Sequence, residues 1–312
     1  MTSQRTVYVS GKFVAESEAG FSIFDSALMY GDVIFETTRT FNGQPFRLRE
    51  HIERLYVGLL TLEIDCGLTP VGMEAATLET IERNRSCFAD GRDFQIVHNV
   101  SRGPMGLYES VFEGGVKPTV TINCWPLTWH LAAFADAYVR GVHAVIPTQR
   151  SVPARLLDPK IKNRSRIYYQ IANLQAQKVD PEAWALLTDE DGFLTEGTGS
   201  NFFVVKDGGL LTAEPRNILR GVTRQSVLEL AERLGLPCRE CNLEPYDVMT
   251  ADEAFFTSTP FTIMPATRFN GHEVGTGEPG PITRKLMSAW DQMVEVGMVA
   301  QARAFAEEVG KG

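Results

Sequence analysis

The twenty residues LTEGTGSNFFVVKDGGLLTA, 194–213, leave the chain few conformational choices. A turn rich in Gly, Thr and Ser runs into the apolar FFVV, and Asp207-Gly208-Gly209 separates that run from LLTA. Two β-prone runs around a Gly-containing turn predict a hairpin. The first turn carries one carboxylate, Glu196. Gly197 and Gly199 beside it let a backbone come close to a planar ligand. Glu196 is therefore expected to reach inward to a bound molecule rather than outward to water.

The rest of the chain divides where its pattern of strands and amphipathic helices breaks, around residues 126–136. Before the break, TVYVSGKFV reads as a hairpin about Ser10-Gly11, and FETTRTFNGQPFRL sets Asn42-Gly43 between β-prone runs. LREHIERLYVGLLTL puts Ile52, Leu55, Leu59 and Leu62 on one helical stripe. GMEAATLETIERNRS reads as a second helix, and FQIVHNVSRG and KPTVTINCW as sheet strands. After the break, VHAVIPTQ and WALLTDEDGFLTEG read as strands, and SRIYYQIANLQAQKV as a helix. TRQSVLELAERLG reads as a helix with Thr223 near its start and Gly235 at its stop. EAFFTSTPFTIMPATRF reads as an apolar strand followed by a turn, and ITRKLMSAWDQMVEVG as a late helix. The expected class is α/β (α+β), with a domain at 1–125, a linker at 126–136 and a second domain at 137–312. A length of 312 residues suits two domains better than one.

A formal charge of −9 without a dominant basic patch argues against a nucleic-acid partner. No apolar run approaches the roughly 20 residues that cross a bilayer. The opening MTSQRTVYVSGKF lacks the apolar centre of a signal peptide, so a cytoplasmic location is expected. The five cysteines, Cys66, Cys87, Cys124, Cys238 and Cys241, are odd in number and widely spread, unlike a disulfide framework. Cys238 and Cys241 form a CxxC, but zinc asks for two more ligands and the sequence offers no second pair. Both are expected to be structural thiols, and no metal is expected.

Four groups of residues suggest one chemistry. Lys160 and Lys162 stand in LDPKIKNRSR, and strand alternation would put both on one face. Glu196 lies 34 residues beyond Lys162 (196 − 162). LRGVTRQ places Gly221, Val222 and Thr223 at a helix start, where free amides and the helix dipole suit a phosphate dianion. Ser258 and Thr259 offer hydroxyls at a strand end, and Arg54 brings a full positive charge. Pyridoxal 5′-phosphate (PLP) chemistry needs a lysine to hold the aldehyde, a carboxylate beside the pyridine nitrogen and donors around the phosphate. The released lysine amine then serves as acid and base. These parts point to a PLP enzyme, with Lys162 or Lys160 as its lysine.

Their order and spacing resemble the class IV, or fold type IV, PLP-dependent aminotransferases. That family includes branched-chain and D-amino acid aminotransferases, R-selective amine transaminases and 4-amino-4-deoxychorismate lyase. FDSALMYGDVIFET (24–37) is similar to the family's N-terminal signature. FRLREHIERL (46–55) is similar to its phosphate-arginine helix, which implicates Arg54. LTEGTGSNFFVVKDG is similar to its most diagnostic stretch and implicates Glu196; the interval back from it singles out Lys162 over Lys160. LRGVTRQSVLELA supplies Val222 and Thr223, and ADEAFFTSTPFTIMP supplies Ser258 and Thr259, as cofactor contacts. The resemblance implies a small N-terminal α/β domain, a larger C-terminal β-barrel-like (pseudo-barrel) domain with PLP at their interface, and a homodimer. Tyr30 and Phe35 resemble positions that line the substrate pocket.

Four departures bear on substrate, one of them Ser258-Thr259-Pro260 where branched-chain enzymes tend to have a GTA-type turn. SRG (101–103) is followed by PMGLYES, without the arginine and histidine that grip the carboxylate in D-amino acid enzymes. FQIVHNVS lacks the tyrosine–x–arginine of branched-chain enzymes, and Ile167 stands where those carry a tyrosine. The expected function is a transaminase passing an amino group between an amino acid and a 2-oxo acid. An aliphatic or branched-chain donor is favoured, with a D-amino acid or an R-amine as other donors. The competing expectations are an aminodeoxychorismate lyase using the same lysine, and a non-catalytic PLP-binding relative, against which the joint presence of Lys162 and Glu196 argues.

Overall fold

The computed structural model describes residues 4–88 and 92–310. The chain gathers into two units: Met1–Leu127 with Ile161–Arg166, and Thr128–Lys160 with Ile167–Gly312.

The first unit is built on a six-stranded antiparallel sheet among the described residues. β1 (Thr6–Val9) and β2 (Lys12–Ala15) form the hairpin predicted at Ser10-Gly11, both with positive φ. A short helix, α1 (Ser26–Tyr30), is capped by Asp25 and leads into β3 (Val33–Phe41). Asn42 and Gly43, at φ 51° and 72°, turn β3 into β4 (Gln44–Pro45), the left-handed pair that such a hairpin demands. Then come α2 (Leu48–Thr61), α3 (Pro70–Asn84), β5 (Phe94–Ser101) and β6 (Thr119–Pro126). The sheet order is β2-β1-β6-β5-β3-β4. The predicted stripe is real: Ile52, Leu55 and Leu59 of α2 join Met73 and Ile81 of α3 over Ile34, Ile96, Val100 and Ile122. Register sorts the chemistry, because Ile34 faces Val100 and Glu36 faces His98 while Phe35 faces Asn99. Glu36 and His98 thus share the helix-bearing face with Ile34, and Phe35 and Asn99 share the other.

The second unit opens with α4 (Thr128–Leu131) and α5 (Ala137–Arg140). It continues through β7 (Val142–Val145), α6 (Ile167–Gln177), β8 (Trp184–Thr188), β9 (Leu194–Gly197), β10 (Asn201–Lys206) and β11 (Gly209–Ala213). Next are α7 (Val222–Arg233), β12 (Cys238–Cys241), α8 (Pro245–Met249), β13 (Glu253–Ser258), β14 (Thr262–Phe269) and β15 (His272–Glu273). Two helices close it, α9 (Pro281–Val294) and α10 (Met298–Gly310). The strands form a mixed, curled half-barrel sheet, β12-β11-β10-β13-β14-β7-β8-β9, with β15 beside β14. The 194–213 segment is the predicted hairpin, β10 against β11, preceded by β9. The sequence ends the apolar strand of 253–269 in a turn, whereas the structure continues it as β14, antiparallel to β13. Pro265 argues against a second strand there, yet it sits in register opposite Phe255. Among the described residues no helix is long and apolar enough to cross a membrane.

Candidate active site

The lysine segment is pinned residue by residue to the first unit. Phe35 N donates to Lys162 O at 2.9 Å, and Arg164 N donates to Val33 O at 2.9 Å, so Asn163 bridges Ile34. Buried Ile161 joins the core under α2. The Asn163 side chain closes the turn, donating to Ile161 O and accepting from Ser165 N. Ser165 Oγ donates to Tyr30 O at 2.8 Å, which ties the exposed Tyr30 to the same segment. Alternation then sends Lys162 and Arg164 to the face of Phe35. Lys162 Nζ lies 4.8 Å from the centre of that ring, Arg164 Cζ 3.7 Å and Arg166 Cζ 4.6 Å. The predicted alternation does not extend back to Lys160, which belongs to the second unit. Lys160 Nζ pairs with Asp158 at 2.8 Å and donates to Arg216 O, so the two lysines stand in different surroundings.

On the helix-bearing face of β3, Arg54 grips both oxygens of buried Glu36, at 2.6 and 2.7 Å. His51 Nδ1 donates to the same carboxylate at 2.9 Å, since a carboxylate only accepts. Burial alone would push the Glu36 carboxyl up, but Arg54 and His51 outweigh it and hold the group well below the usual carboxylate range. His51 itself is lowered, first by burial and further by the Arg54 and Lys162 charges, against the pull of Glu36. His98 is lowered to about 4, chiefly by burial. Its Nε2 lies 2.8 Å from Thr77 Oγ1, whose own proton goes to Met73 O. His98 therefore donates from Nε2, and its bare Nδ1 is buried without a partner among the described residues.

The second unit holds Glu196. The residue is only 5% exposed, deep enough that its carboxylate must be met by protein donors. Tyr169 OH donates to Oε1 at 2.9 Å, and Asn201 Nδ2 and Leu219 N donate to Oε2 at 3.1 and 2.9 Å. Asn201 also donates to Leu219 O, which fixes the start of α7 against β10. Gly221, the N-cap of α7, has no room for a side chain, because a Cβ there would collide with Asn201 Oδ1. It supplies no side-chain cap, so the amides of the first turn, with Val222 and Thr223 both buried, point out from an uncapped helix start. Ser258 Oγ spends its proton on Gly199 O at 2.8 Å. Thr257, across from Asn201 in register, keeps a buried Oγ1 with no partner among the described residues. Thr259 is half-buried in the turn after β13.

Each predicted residue thus has a place. Lys162, Arg54, Phe35 and Tyr30 lie in the first unit, and Glu196, Val222, Thr223, Ser258 and Thr259 in the second. Sequence reasoning missed Glu36, Tyr169, Asn201 and Thr257. Only Asn201 left a signal, as the polar residue that breaks the apolar start of the hairpin. Cys238 and Cys241 sit at the two ends of β12 and are unbridged.

Residues 33–269 match the profile of the family described as amino-transferase class IV. A Methanocaldococcus jannaschii protein, provisionally named a branched-chain-amino-acid aminotransferase, is 36% identical over 281 residues, covering 90% of this chain and 93% of its own length. The D-alanine aminotransferase of Bacillus licheniformis is 30% identical, covering 91% of this chain and 95% of that protein. The crystal structure of the branched-chain amino acid aminotransferase from Escherichia coli superposes with a TM-score of 0.84 at 25% identity, covering 95% of this chain and 96% of that one.

Proposed function

The chain belongs to the class IV aminotransferases, and we propose that Lys162 holds its cofactor and that Glu196 faces the cofactor's ring nitrogen. The family uses PLP and moves an amino group between an amino acid and a 2-oxo acid. The relatives are named aminotransferases, which does not favour the lyase reading.

The observation that carries the assignment is the buried Glu196 carboxylate, aimed by Tyr169 OH, Asn201 Nδ2 and Leu219 N among its partners. A carboxylate aimed in this way offers an acceptor to a ring nitrogen. A protonated ring nitrogen answers it, with a charge-assisted bond of roughly 1.5–3 kcal/mol. The uncapped first turn of α7 and the orphaned Thr257 hydroxyl fit a phosphate close by in the same unit. When bound, PLP supplies an aldehyde carbon and an electron-accepting ring. Lys162 Nζ holds the cofactor, gives way to the substrate amine and moves the proton at the substrate α-carbon. Val222, Thr223, Ser258 and Thr259, with Arg54, contact the phosphate. Ser258 turns its hydroxyl away from Gly199 O to do so. Tyr30 and Phe35 line the substrate pocket.

The donor is an aliphatic or branched-chain amino acid, with a D-amino acid or an R-amine as the second reading; relatives carrying both the branched-chain and the D-alanine names support keeping the two. The protein works as a cytoplasmic homodimer, with a small domain at 1–125, a linker at 126–136 and a larger domain at 137–312, from which residues 161–166 depart to pack with the first unit.

Borohydride reduction of the PLP-loaded protein, followed by peptide mapping, tests the lysine. Label is expected on Lys162 and is lost in Lys162→Ala. Label on Lys160, or a colourless protein after PLP supplementation, overturns the assignment. Half-reactions with L-leucine, D-alanine and R-1-phenylethylamine separate the donors, and sedimentation tests the dimer.

A further inference from the structure

Three cations share the Phe35 ring. Arg164 lies closest, at 3.7 Å, and spends Nε and Nη2 on one neutral oxygen, Asn99 Oδ1, at 3.2 and 2.9 Å. Its Nη1 makes no bond to any described residue. Desolvation, and next the like charge of Arg166, lower Arg164 to about 10, so it stays charged at neutral pH. A guanidinium held over an aromatic face and aimed by an amide is pre-organised for a planar anion. Lys162 stands two residues away on the same face, about 6.6 Å along an extended backbone. An anion at Nη1 therefore lies within one small molecule's length of the lysine. The sequence lacks both carboxylate-gripping patterns named for D-amino acid and branched-chain enzymes, so the substrate's carboxylate needs a partner from elsewhere.

We propose that Arg164 binds the α-carboxylate of the amino-acid and 2-oxo-acid substrates, with Phe35 as its platform and Asn99 aiming its fork. This rests on Lys162 being the cofactor lysine. The amino group engages Lys162's end of the ring and the carboxylate engages Nη1, with Arg166 adding to the positive field. The same fork serves both half-reactions, because donor and acceptor carry the carboxylate at the same carbon.

Calorimetric titration of the PLP-loaded protein with 4-methylpentanoate and with 4-methylpentanamide tests the proposal. The two ligands share a shape and differ in charge. The wild type is expected to prefer the acid, and Arg164→Gln to erase that preference by roughly ten- to a hundredfold, the worth of a charge-assisted bond. Arg164→Lys keeps the charge but not the fork, falls in between, and carries the test if the glutamine variant does not fold. An unchanged preference in either folded variant overturns the proposal. Because heat is the readout, binding is measured whether or not a chromophore forms. A missing borohydride label at Lys162 sinks the cofactor assignment separately.

Discussion

Glu36 and Glu196 are both buried carboxylates, and their partners separate their work. Glu36 is matched by a guanidinium and an imidazole, so its charge is consumed within the first unit. Glu196, among its partners, accepts from the Tyr169 phenol, the Asn201 amide and the Leu219 N–H, all within the second unit. Tyr169→Phe removes one of those donors and leaves the carboxylate otherwise in place. A loss of about 1.5–3 kcal/mol is expected in urea denaturation, as for a hydrogen bond to a charged group. A loss below the measurement error would mean that Tyr169 only packs there. At this scale the sequence revealed Glu196 because a lone carboxylate in a glycine-rich turn stands out. Tyr169 did not stand out, because an aromatic on a helix reads as ordinary core. Arg54 was legible as a charge, but its grip on Glu36 was not, since 18 residues and a strand-to-helix connection separate them.

Among the elements, α7 and β10 show how a site is spaced by what cannot fit. Gly221 and Asn201 interlock, and Asn201 is in turn a donor to Glu196. Gly221→Ala pushes the Asn201 amide out of line, and overpacking of this kind costs about 1–3 kcal/mol. In an Asn201→Ala background the same substitution is expected to cost little, so a double-mutant cycle in urea should show clear coupling. Additive costs would separate the two residues. The hairpins were legible because their turns carry left-handed residues, Asn42-Gly43 and Asp207-Gly208 among them. β14 was obscured by Pro265, and α10 by an alanine-rich stretch without a sequence cap. Register, which sets Phe35 and Glu36 on opposite faces, follows from pairing partners more than sixty residues away and is invisible to local pattern.

For the molecule as a whole, acid is the revealing stress. His98 is held neutral at about 4 by burial, whereas an unfolded histidine takes its proton near 6.5. Its contribution is therefore intact above 6.5, is lost as pH falls from 6.5 toward about 4, and changes no further below that. His51 acts in the same direction, and Glu36 adds a loss at lower pH, where its unfolded form protonates. Between pH 7 and pH 5, His98 alone accounts for roughly 2 kcal/mol. His98→Gln should flatten the dependence of the urea midpoint over that interval, and an unaltered slope would clear His98 of the role. These histidines gather from β5 and α2, so the acid-labile patch lies in the first unit. That unit also has an unusual chain history. Its peptide runs to Leu127, and its last piece, Ile161–Arg166, is made more than thirty residues later. Until those residues emerge from the ribosome, the start of β3 presents Val33 O and Phe35 N as unpaired groups, the kind of open edge on which nascent chains stick to one another. Delivery of the lysine and sealing of that edge are thus one event in the chain's synthesis.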